Sequence, residues 1–114
     1  MSSRVEDLHD IDFTDVTDPA APPVPPTHPG DVLLHDFLEP LGLSANALAR
    51  ALHVPTNRVT AIVNGTRGIS GDTALRLARY FGGDAQWWMN LQSRYELQSA
   101  VLANGADIQR SVQP

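Results

Sequence analysis

No cysteine occurs anywhere in the chain, which excludes a disulfide frame and a cysteine-ligated metal centre. Lysine is missing as well. All eight cations are arginines, whose planar fork of donors suits phosphate and surface carboxylates equally. No apolar run approaches the length needed to cross a bilayer, and the N-terminus lacks the basic-then-apolar pattern of a secretion signal. The expectation is a soluble, cytoplasmic protein with no membrane partner. A nucleophile–base pair, a metal-ligand cluster and a phosphate loop are also absent from the globular part. The residues therefore point away from an enzyme and from any bound cofactor or metal. His28 and His35 are joined by no third ligand at helical spacing, which leaves them capping or surface roles.

The net charge of −5 looks unfavourable for nucleic acid until it is divided along the chain. Residues 1–18 hold Glu6, Asp7, Asp10, Asp12, Asp15 and Asp18 against Arg4 alone, a net of −5, so the remainder sums to zero. Between positions 50 and 79, Arg50, Arg58, Arg67, Arg76 and Arg79 meet only Asp72, a local excess of +4. Six of the nine prolines fall between Pro19 and Pro29, a composition that forms neither a helix nor a central strand. Three regions follow: a flexible acidic, proline-rich tail over 1–26, a folded domain over 27–104 and a flexible C-terminus over 105–114. Within the tail, Leu8, Ile11, Phe13 and Val16 are interspersed with the acids. They suit either a solvating segment or a recognition segment with apolar anchors.

The folded region is organised around SANALARALHVPTNRVTAIVNG, residues 44–65. Ala45, Leu48, Ala49 and Leu52 recur at the i, i+3, i+4, i+7 spacing of one buried helix face, with Ser44 as N-cap. Pro55 opens a second helix whose apolar stripe is Val59, Ile62 and Val63, and Gly65 closes it. The opposite face carries Asn57, Thr60, Ala61 and Asn64, flanked by Thr56 and Arg58. Amides pair with adenine edges, hydroxyls with several bases, and arginine with guanine or phosphate. A helix-turn-helix places such a face in the major groove, so double-stranded operator DNA is the expected partner. Asn57, Thr60 and Ala61 are expected at base edges, Arg58 at a base or phosphate, and Asn64 with Arg67 on the backbone. A solvated face on any small bundle would carry similar residues.

Three further helices complete an all-α, five-helix domain. The first buries Leu33, Leu34, Phe37, Leu38 and Leu41 and ends at Pro40 and Gly42. The fourth, capped by Ser70 or Asp72, buries Ala74, Leu77, Ala78 and Phe81. The fifth, capped by Asp84, is apolar on more than one side, which calls for more than one partner. Trp87, Trp88, Leu91 and Tyr95 are expected to divide between the core and a homodimer interface.

The stretches HPGDVLLHDFLEPLGLS, NALARALHVP, NRVTAIVNGTRGIS, DTALRLARYFG and WWMNLQSRYEL together resemble the HigA family of antitoxins, over residues 28–98. The resemblance implies a lambda-repressor-like helix-turn-helix fold and a homodimer that represses its own operon. It also implies a HigB-type toxin as partner, a ribosome-dependent mRNA endonuclease of RelE-like fold. Leu8, Ile11 and Phe13 are the candidate toxin contacts. Three features depart from the family pattern. Ala45 stands where glutamine is frequent, His53 where the turn usually has glycine, and the acidic N-terminus lies outside the match. A stand-alone repressor is the alternative, and an interaction module with a decayed DNA face a third reading.

Overall fold

The structure, a computed structural model, describes residues 25–114. Five helices and no strand occur among the described residues. The first, α1, is continuous over residues 29–41 but changes pitch twice, with segments Pro29–Val32, Leu33–Leu38 and Glu39–Leu41. The others are α2, Ala45–Leu52, α3, Thr56–Val63, α4, Gly71–Phe81, and α5, Ala85–Ser111.

The middle segment of α1 is a π turn, and Pro40 explains it. A proline has no N–H to give the carbonyl four residues back, and its ring collides with that carbonyl. The helix widens instead, and Glu39 donates its N–H to the Leu34 carbonyl, five residues back. Leu33 and Leu38, also five apart, thereby both reach the core. Leu41, expected in that core, is 63% exposed. The helix ends in a left-handed Gly42, and Leu43 N–H returns to the Leu38 carbonyl at 2.9 Å.

The core joins Leu33 and Leu38 of α1 to Leu48, Ala49 and Leu52 of α2, Val59 and Ile62 of α3, and Ala74 and Leu77 of α4. Ile69 and Trp88 close it from the α3–α4 loop and from α5. The capping residues work as local chemistry requires: Ser44, Ser70 and Asp84 accept from Ala47, Thr73 and Gln86 N–H groups. Of the two candidates for α4, Ser70 is the cap.

Two expectations about the last helix are corrected. Helix α5 continues to Ser111, so most of 105–114, expected as a flexible end, is helical. Asn104-Gly105 reads like a helix stop, yet Gly105 lies inside the helix, at a cost of about 1 kcal/mol relative to alanine. Trp88 is 2% exposed and belongs to the intramolecular core rather than to a dimer surface. It packs on Phe37 with ring centroids 5.0 Å apart, and the core beneath the first three helices rests on it. Tyr95 is half-buried with its ring edge-on to His28 at 4.7 Å, and Leu91 is also half-buried. Trp87, at 45%, is the exposed member of the four. Further along α5, Leu97, Val101 and Ile108 line an outward face.

Candidate nucleic-acid interface

Helix α2 stops at His53, whose φ of 59° and ψ of 48° place it in the left-handed region usually reserved for glycine. The departure from glycine leaves the turn geometry intact. Pro55 follows in extended conformation, and α3 begins at Thr56. The Thr56 hydroxyl donates to Asn46 Oδ1 at 2.8 Å, tying the start of α3 to the first turn of α2. Thr56 thus braces the motif.

Asn57 is exposed, and its side chain forms no hydrogen bond among the described residues. Thr60, half-buried, donates back to the Asn57 carbonyl at 3.3 Å. Ala61 is half-buried, and its carbonyl receives Thr66 N–H at 3.0 Å, Arg67 N–H at 3.2 Å and the Thr66 hydroxyl at 3.2 Å. This single oxygen gathers the start of the α3–α4 loop. Asn64 caps α3 and is exposed, Gly65 turns the chain at φ 80°, and Arg67 projects into solvent. Arg67 forms no ion pair among the described residues.

Arg58 differs from the expectation. Its Nη1 donates to Asp72 Oδ2 at 2.8 Å, and its side chain is 25% exposed. The same carboxylate oxygen accepts from Arg76 Nε at 2.9 Å, and Arg76 Nη1 reaches the Leu52 carbonyl at 2.8 Å. One carboxylate therefore links the end of α2, the start of α3 and the start of α4. The Arg76 guanidinium foremost, and Arg58 after it, hold the Asp72 carboxyl below the usual carboxylate range.

Helices α1 and α5 fix this motif from behind. His28 Nδ1 accepts from Gly30 N–H at 2.8 Å and so caps α1. Gly30 lies so close to α3 that a Cβ there would stand 1.8 Å from the Ile62 carbonyl oxygen. On the loop side, Ile69 N–H donates to the buried Gln92 Oε1 at 2.8 Å, and Gln92 Nε2 donates to Glu96 at 2.7 Å. His35 bonds Glu39 on the surface at 2.9 Å, so the two histidines take the two roles expected of them.

The helical spacing puts Asn57, Thr60, Ala61 and Asn64 on one side of α3, Arg67 is exposed in the loop that follows, and Thr56 and Arg58 are tied into the scaffold. Sequence reasoning missed Asn46, Asp72 as the partner of Arg58, and Gln92. The i, i+4 spacing of Gln92 and Glu96 was the one local signal for the last. Leu8, Ile11 and Phe13 lie outside the described residues, as does the tail over 1–26 apart from its last two positions.

Two short helices joined by a left-handed turn, with the second braced at both ends, define a protein of the helix-turn-helix class. The helix-turn-helix family matches residues 34–88. Virulence-associated protein I of Dichelobacter nodosus is 59% identical over 73 residues, which cover 64% of this chain and 68% of that protein. The Pseudomonas aeruginosa antitoxin HigA, solved with the higBA promoter, is 50% identical with a TM-score of 0.76, over 78% of this chain and 97% of that one. An addiction module antidote protein of a HigA family from Coxiella burnetii is 46% identical with a TM-score of 0.76, over 80% and 99%. The chain belongs to the HigA family of antitoxins, as the HPG opening, the RGI loop and the W-x-NLQ-x-x-Y helix imply.

Proposed function

We propose that this protein is a DNA-binding antitoxin that represses its own operon as a homodimer and neutralises a HigB-type, RelE-like mRNA endonuclease. The observation that carries the DNA reading is the exposed Asn57, untied on the leading half of a braced helix, with Arg67 exposed in the loop after it. Asn57 and Thr60 would meet base edges, and Asn64 and Arg67 the phosphate backbone. That the Pseudomonas aeruginosa HigA was solved with the higBA promoter supports DNA as the partner. Trp87 and the outward face of α5 supply the apolar area for pairing two copies. A dimer would then present two α3 helices about one helical turn, ~34 Å, apart and favour a palindromic operator.

The test is a competition between a duplex from the protein's own promoter and one of random sequence, read by fluorescence anisotropy. Asn57→Ala is expected to reduce the preference for the promoter by about 1–3 kcal/mol. A wild-type protein with no such preference would overturn the DNA reading. An unchanged preference in Asn57→Ala would move base reading to another residue.

The acidic segment is assigned to the toxin. An mRNA-cleaving enzyme must hold polyphosphate, so its cleft is basic, and a net −5 on a proline spacer can approach it as a phosphate mimic. Leu8, Ile11 and Phe13 would supply the apolar contacts that offset the cost of ordering the segment. Removing residues 1–26 is expected to weaken toxin binding about tenfold or more, measured by calorimetry on co-purified partners. Unchanged affinity would assign toxin binding to the helices instead.

A further inference from the structure

Asp72 is a carboxylate held against Arg58 of α3, the helix proposed to meet DNA, and a negative charge beside that helix opposes binding. It is 56% exposed, and both of its hydrogen bonds enter through Oδ2. Its partner Arg58 is the third residue of α3, on the half of the helix that leads into the groove. Arg58 is three-quarters buried, and its Nε is buried with no hydrogen-bond partner among the described residues. Arg76, by contrast, uses its second donor on the Leu52 carbonyl and stays anchored whatever Asp72 does. The pair that can open is Arg58 with Asp72. With Arg58 largely buried, water and salt compete for this pair less than for an exposed one. A phosphate offers the same guanidinium a charge-assisted fork, but taking it would leave the Asp72 carboxylate unpaired beside the anion.

We propose that Asp72 withholds Arg58 from phosphate and so tempers the protein's hold on DNA of any sequence, leaving Asn57 to govern where the protein settles. Non-specific affinity comes from phosphate contacts, each adding about 0.9 to the slope of log K against log salt. Neutralising one arginine within the motif removes one such contact from every site on the chromosome. Base reading by Asn57 is untouched, so promoter and random sequence lose affinity by a similar factor and the ratio between them is kept. The inference rests on the DNA reading proposed above.

The experiment measures affinity for a random-sequence duplex and for the promoter duplex across a salt series. Asp72→Asn is expected to bind both duplexes about tenfold tighter, with slopes steeper by about one phosphate contact and the promoter preference kept. Asp72→Glu, which keeps the charge, should restore wild-type affinity and slope. In an Arg58→Gln background, Asp72→Asn should add nothing to the slope. If Asp72→Asn binds random DNA no tighter, or its steeper slope survives without Arg58, the proposal fails. The wild-type protein supplies an independent arm through the Arg58 guanidinium signals in nitrogen-15 spectra. They should stay in place when random duplex is added, and a shift to phosphate-bound positions would overturn the idea even if Asp72→Asn did not fold. A wild type without promoter preference counts against the DNA reading alone, since the random duplex still tests the release of Arg58.

Discussion

Gly30→Ala is expected to cost about 3 kcal/mol or more, seen as a large drop in the urea midpoint. Helix propensity alone favours the substitution by about 1 kcal/mol, because Gly30 sits in the first turn of α1. Collision decides the sign. The new Cβ would stand 1.8 Å from the Ile62 carbonyl oxygen and 2.7 Å from its carbon. That backbone cannot yield cheaply, since the same oxygen accepts Gly65 N–H at 3.0 Å and so forms the end of α3. Helix α1 would have to lift away, and the His28 cap beside it would go too. An unchanged midpoint would mean that α1 and α3 stand further apart than described.

The neighbouring tryptophans should separate cleanly. Trp88→Ala is expected to lose about 3–5 kcal/mol, the range for emptying a buried aromatic site. That is a large share of the roughly 5–15 kcal/mol that holds a domain of this kind together. Trp87→Glu should change stability little, because nearly half of that side chain already faces water. If α5 pairs two copies, the same charge should shift sedimentation toward the monomer and weaken promoter binding. Similar midpoints for the two variants would show that the helix is rotated from the phase described.

That phase is what the sequence could not supply. Adjacent residues on a helix point about 100° apart, and α5 is apolar on several sides, so periodicity left both tryptophans as candidates for either face. Packing against Phe37 chooses Trp88. Helix starts were legible because an N-cap is a local event: Ser44, Ser70 and Asp84 each reach an N–H two or three residues ahead. The stop at Gly65 was legible for the same reason, whereas the turn at His53 was marked only by the resemblance to the family. The links between Arg58 and Asp72, 14 residues apart, and between Ile69 and Gln92, 23 apart, have no periodic signature. Arginine in the motif therefore read as a DNA contact when its geometry serves another helix. The π turn was hidden differently. Pro40 announced a disturbance in α1, but the sequence did not show whether the helix would end or widen.

The unequal tethering of α3 bears on how a regulator of this kind acquires a new binding site. Thr56 and Arg58 are fastened to neighbouring helices, and the Ala61 carbonyl anchors the following loop, so substitutions there disturb the architecture along with any recognition. Asn57 stands between two fastened residues with a side chain that supports nothing else among the described residues. If Asn57 reads bases as proposed, position 57 is where operator preference can drift from one gene copy to the next while the scaffold is inherited unchanged. Duplicated copies in one cell could diverge in the promoters they read through that single codon.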